Sequence, residues 1–153
     1  MATTHSYGAT LKNNKTENNA VQFVLTQNPC LKLPAKEERK QILEALKLPN
    51  SFSRAYDLVL LPSPDITNVM SVAPEKWVLV ELKTTMKKLL KNPDGFFFGA
   101  TANEFALAEK LGDRYVFCFV SMHPESMGYT FVSAKDIEGK IKTKRLQYQI
   151  NFR

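Results

Sequence analysis

Three residues have the types and the spacing to do chemistry together: Asp57 in "YDLVLL", and Glu81 and Lys83 in "VLVELK". Side chains alternate between faces along a β-strand. Glu81 and Lys83 therefore share a face with Leu79, while Val78, Val80 and Leu82 point the other way. If the two apolar segments pair, Asp57 and Glu81 meet at one end of a sheet. Two carboxylates in contact repel, and one of them tends to keep its proton. A divalent cation removes that conflict, and Mg²⁺ is commonly held by one or two carboxylates together with water and phosphate oxygens. An ammonium at Lys83 would orient or help deprotonate an attacking water and neutralise charge gathering on a phosphate. The chemistry such a set supports is metal-assisted hydrolysis of a phosphate ester.

Two plainer readings stand beside this one. Glu81 and Lys83 would form a solvated pair if they lay at an exposed strand end, contributing ~0–1 kcal/mol, and Asp57 would then be an edge residue beside Arg54. The Glu-x-Lys spacing also recurs at 38–40 and 138–140, in a charged helix and a basic turn, where such residues are ordinarily solvated. Only Glu81-Leu82-Lys83 lies in an apolar strand that follows an Asp-bearing one.

The elements that must position these residues follow from periodicity and punctuation. Thr16 caps a helix over about 16–27, with Ala20, Val21, Phe23, Val24 and Leu25 as its apolar stripe and Asn28-Pro29 as its end. Residues 1–14 are polar and expected to be loose. A second helix follows Pro34, with Ile42, Leu43, Leu46 and Leu48 on its apolar side and Pro49 as its stop. A strand is expected over about 54–61, ended by Pro62 and Pro64. A loop rich in Pro, Ser, Asn and Asp then leads to the strand "EKWVLVELKTT". Residues 87–95 read as a basic loop or short helix, and "FFFGA" as a short strand or packed loop whose phenylalanines are core or interface. Thr101 and Glu104 form a capping box that opens a helix, which Gly112 closes. "RYVFCFVSM" is a central strand, apolar on both faces. "YTFVSA" and "QYQINF" read as further strands joined by the basic connector at 135–145. A helix crossing between apolar strands makes this an α/β sheet with helix on at least one face.

The chain of 153 residues is expected to form one domain with one core. Its net charge of +6 favours an anionic partner. Cys30 and Cys118 lie far apart, and His5 and His123 are isolated, which argues against a zinc site. Cys118, inside "YVFCFV", reads as a buried reduced thiol. The sequence has no signal-peptide pattern and no apolar run near the ~20 residues of a membrane span, so an intracellular, cytoplasmic protein is expected, with nucleoid or nucleus left open.

The Asp strand followed by the Glu-x-Lys strand resembles the PD-(D/E)xK nuclease superfamily, the restriction-endonuclease-like fold. The resemblance covers roughly residues 15–121. It implies a central mixed sheet flanked by helices in the order αβββαβ, and a Mg²⁺-dependent endodeoxyribonuclease for which Mn²⁺ would substitute. It places Asp57, Glu81 and the Leu82 carbonyl on the metal, Lys83 beside the scissile phosphate, and Glu17 as the first-helix acid that many members carry. Tyr56 stands where the family name has proline, and residues 62–76 are a long insertion between the two strands. Lys87, Lys88 and Lys91, with Thr101 and Asn103 at a helix N-terminus, are the expected DNA contacts. For Glu104 the capping role is preferred over a catalytic one. DNA is the expected partner, with a homodimer or a partner subunit completing a duplex cutter and no membrane involved. The alternative is a non-catalytic DNA-binding or scaffolding subunit that keeps the same fold.

Overall fold

The computed structural model describes the backbone of residues 2–153 and the side chains of residues 15–153. The first helix, α1, spans Ala2–Gln27 and so begins upstream of Thr16, although Asn28-Pro29 ends it as expected. The expected looseness of residues 1–14 lies outside the described side chains. A two-residue strand, β1 (Leu31–Lys32), comes next and was not legible in the sequence. Then follow α2 (Lys36–Ala45), β2 (Leu58–Leu60), β3 (Val78–Thr85), α3 (Ala102–Leu111), β4 (Tyr115–Ser121), β5 (Gly128–Ser133) and α4 (Ala134–Glu138).

The strands form one mixed sheet in the order β1-β2-β3-β4-β5. β1–β2, β2–β3 and β4–β5 pair antiparallel, and β3 pairs parallel with β4. The parallel pair requires a crossover, and α3 supplies it. The sheet separates two apolar layers. Ala20 and Val24 of α1 cover Leu58, Val80, Leu82, Cys118 and Val120 on one face. Residues of α2, α3 and α4, among them Ile42, Leu107 and Ile137, cover Val59, Leu79, Phe117 and Phe119 on the other. The alternation expected along β3 therefore holds: Leu79 packs in one layer, Val80 and Leu82 in the other.

Several elements differ from the sequence reading, each for a local reason. α2 stops at Ala45, short of Pro49, because Lys47 turns left-handed at φ 59°. The Lys47 and Leu48 N–H groups then donate back to the Glu44 and Leu43 carbonyls, which closes the helix end. The strand expected over 54–61 is only Leu58–Leu60, since residues 53–55 turn before it. The 62–76 insertion is packed: it makes two 3₁₀ turns, Val69–Ser71 and Pro74–Lys76, and the Val69 carbonyl that opens the first accepts the Trp77 indole N–H at 3.0 Å. Phe96 and Phe98 stack edge-on against Phe119, while Phe97 is exposed. "QYQINF" alternates like a strand but pairs with none, and Leu146, Tyr148, Ile150 and Phe152 are all exposed. A period-two pattern needs a neighbouring strand to become one, and this tail lies beside none.

The turn leading into β2 is held carbonyl by carbonyl. The Arg39 guanidinium donates to the carbonyls of Tyr56 (2.6 Å), Asp57 (2.7 Å) and Ser53 (3.5 Å), and lies over the Tyr56 ring. The buried Tyr115 hydroxyl donates to the Ala55 carbonyl at 2.6 Å. In return the Tyr56 hydroxyl donates to the Arg39 carbonyl. This clamp sets where Asp57 sits. Arg39→Ala is expected to cost about 2–4 kcal/mol in urea unfolding, because two well-held carbonyls lose charge-assisted donors. Arg39→Lys should recover only part of that stability, since an ammonium cannot reproduce the planar fork.

Candidate metal and phosphate site

Asp57 lies just before β2, and its N–H donates to the Val80 carbonyl at 2.8 Å. Its Oδ2 accepts the Leu82 N–H at 2.7 Å. The residue thus grips β3 on both sides of Glu81. The β2–β3 register ends at Leu58↔Val80, and the two bonds from Asp57 to Val80 and Leu82 set its carboxylate beside Glu81. The expected meeting of the two carboxylates at the sheet end is the geometry found, and Asp57 uses its carboxylate on β3 rather than on Arg54. In an extended strand the N–H and C=O of one residue point to the same side, so the Leu82 carbonyl is turned toward Asp57.

Glu81 is only 6 % exposed, which excludes a solvated surface pair. Its Oε2 meets the Lys83 ammonium at 3.2 Å, while Oε1 is buried with no hydrogen-bond partner. Burial first, and the Asp57 charge second, hold the Glu81 carboxyl far above the ordinary carboxylate range. Lys83 is shared: it also donates to Glu104 Oε1 at 2.6 Å. Burial alone would lower the Lys83 pKa, but Glu81 and Glu104 outweigh it and hold the ammonium more firmly than usual. Glu17 reaches the same neighbourhood from α1, across the sheet from α3. Partial burial raises its carboxyl, Asp57 raises it further, and Lys83 opposes both.

Glu104 is where sequence reasoning fell short. Its N–H makes the expected cap, donating to Thr101 Oγ1 at 3.1 Å. Its carboxylate, however, points inward: 4 % exposed, it takes the Thr101 hydroxyl on Oε2 and Lys83 on Oε1. The helix start and the site use the same residue, and the capping motif masked the second use. The carboxylates of Glu81 and Glu104 thus hold the ammonium of Lys83, Asp57 lies beside Glu81, and the charge of Glu17 is felt from α1.

The expected DNA contacts are less concentrated. Thr101 and Asn103 are exposed at the start of α3, with the Asn103 amide donating to the Ser51 carbonyl. Lys87, Lys88 and Lys91 are exposed on the loop after β3, and Lys88 pairs with Glu125 at 3.4 Å. Cys118 is buried and its thiol is pushed up to about 12 by burial, as befits an inert core residue.

Among the described residues, no three His, Cys, Asp or Glu side chains gather closely enough to hold a cation unaided. Mg²⁺ does not require three: one or two carboxylates with water and substrate oxygens suffice. The donor set fits such an ion, because it offers hard oxygens, excess negative charge and one orphaned buried carboxylate oxygen at Glu81. Compared with known protein families, characterised proteins and solved structures, the chain matches none. Among the described residues no helix is long and apolar enough to cross a membrane.

The raised Glu81 carboxyl has a measurable consequence without metal. The folded state holds this proton where the unfolded chain has released it, so Glu81 costs stability increasingly as pH rises above the ordinary carboxylate range. Glu81→Gln is therefore expected to be more stable than the parent near neutral pH in EDTA. The gain should shrink toward zero as pH falls to the ordinary glutamate value of 4.5. Urea midpoints across that pH range provide the check.

Proposed function

We propose that the chain is a Mg²⁺-dependent endodeoxyribonuclease with a restriction-endonuclease-like core. The observation that carries the reading is the half-buried Asp57 held against β3 beside the buried Glu81, with Lys83 paired to Glu81 on the same strand and one Glu81 oxygen lacking a donor. The element order supports it: α1, β1, β2, β3, α3 and β4 follow αβββαβ, with α2 inserted between the first two strands. The mixed sheet has helices on both faces, as that architecture requires.

Asp57 and Glu81 would hold the cation, with the Leu82 carbonyl as a further oxygen. When bound, Mg²⁺ would supply Lewis-acid polarisation of a phosphate oxygen and a more acidic water. The chain's own residues do the rest. Lys83, kept an ammonium by Glu81 and Glu104, is a donor rather than a base, so it stabilises charge as water adds to phosphorus. Glu104 and Thr101 fix where that ammonium stands. Glu17, whose carboxyl is raised by partial burial and by Asp57, would take the proton of the attacking water. Thr101, Asn103, Lys87, Lys88 and Lys91 would meet the backbone around the scissile phosphate. Cutting both strands of a duplex takes two such sites, which a second copy of this chain would supply.

Supercoiled plasmid should be nicked or linearised with Mg²⁺ or Mn²⁺, and left intact in EDTA. Glu81→Gln and Lys83→Gln should each lower cutting by about a hundredfold or more, with near-ultraviolet circular dichroism unchanged. Folded variants that cut like the parent would refute the assignment. Salt-dependent binding of duplex without cutting under any divalent cation would instead mark a DNA-binding subunit.

A further inference from the structure

The charged helix α2 has a feature that the hydrolytic site does not use. Its cations Lys36, Arg39 and Lys40 stand at i, i+3 and i+4, and so share one face. That face looks onto the turn before β2. Between them lies an open cleft of about 420 Å³ whose lining includes Lys36, Arg39, Lys40, Arg54, Tyr56 and Asp57. Four cations line it, and among the described residues Asp57 is its one acid. Glu37 and Glu38, the acids of the same helical turn, are not among its lining residues.

The cleft ends on the residue that also closes the hydrolytic site. Arg39 is already committed to the carbonyls of Ser53, Tyr56 and Asp57, so it builds the cleft wall as a fixed positive charge. Lys36, Lys40 and Arg54 are exposed and line the cleft. Asn103, at the start of α3, is bonded to Ser51 beside this turn, so the α3 N-terminus lies next to the cleft. A second sizeable hollow, about 600 Å³, mixes Lys91 and Lys140 with Asp94 and Asp136, and so has no comparable charge bias.

We propose that this cleft is the track for the DNA strand leading into the hydrolytic site, with Lys36, Lys40 and Arg54 contacting successive phosphates on one side of the scissile bond. The inference rests on the nuclease reading for its ligand, but it concerns binding and not cutting. A strand seated there passes Arg54, reaches Asp57 and arrives at the carboxylate pair from the α2 side. The α3 N-terminus lies along the same route. Lys87 and Lys91, beyond β3, would then contribute less to affinity than the cleft does.

The test compares the intact parent with a variant carrying Lys36→Ala, Lys40→Ala and Arg54→Ala. A second variant carries Lys87→Ala and Lys91→Ala. Arg39 is left untouched because it supports the fold. Anisotropy of a labelled duplex oligonucleotide in EDTA, across a salt series, reads affinity without cutting. Thermal midpoints confirm that both variants are folded. The cleft variant should bind about tenfold or more weakly, and its log–log salt slope should be shallower by about 2–3, near one for each phosphate that is no longer neutralised. The loop variant should change both less. A cleft variant with the parent's affinity and slope overturns the track, as does a weaker affinity in the loop variant than in the cleft variant. Plasmid cutting by the parent is a separate readout: a parent that binds through the cleft but never cuts keeps the track and refutes the nuclease.

Discussion

The structure depends on one close approach: Asp57 is strapped across Glu81 by two bonds to β3, one from its backbone to Val80 and one from Leu82 to its carboxylate. That strap forces two acids together in a poorly solvated place, where burial and mutual repulsion keep a proton on Glu81. A chain selected only for stability has simple ways out, such as an amide at either position. Instead the neighbours reinforce the approach. Arg39 and Tyr115 pin the carbonyls of the turn that carries Asp57, and Lys83 is pinned between Glu81 and Glu104. The arrangement keeps one acid protonated in the absence of an ion, and on the proposed reading a hard cation would displace that proton.

The sheet explains how residues 57, 81, 83 and 104 converge although their elements differ. β3 is central but runs past the end of β2, so its Glu81 and Lys83 pair with β4 on one side and are left open on the other, where Asp57 reaches Leu82. Because β3 and β4 run parallel, α3 must return antiparallel over the sheet, which brings its N-terminus back to the Lys83 end. That return delivers Glu104 to the ammonium. α1 covers the opposite face, and Glu17 on it still feels Asp57 and Lys83. The fold thus gathers charge from both layers at one sheet end, where the α2 cleft also opens.

Much of this was legible in the sequence, for reasons that can be named. "VLVELK" and "YDLVLL" carry their message in period-two alternation, which survives any uncertainty about boundaries, so Asp57, Glu81 and Lys83 could be set on facing strands. The mixed α/β sheet followed from a helix crossing between apolar strands. What escaped had no periodic signal or had a sufficient local explanation. β1 is two residues long, too short to show alternation. Glu104 was accounted for by its cap, and Arg39 by an ordinary charged helix surface. Their second partners, Lys83 and the 53–57 carbonyls, are set by tertiary packing. The tail at 146–152 is the reverse case, since it shows the strand pattern and lacks the neighbour that a strand needs.

The most direct measurement is anomalous scattering from a crystal of the protein soaked in Mn²⁺. The account predicts a single strong peak between the Asp57 and Glu81 carboxylates, within bonding distance of both and missing from Glu81→Gln. A soaked crystal with no peak there, or with one bound through only one of those two residues, would contradict it.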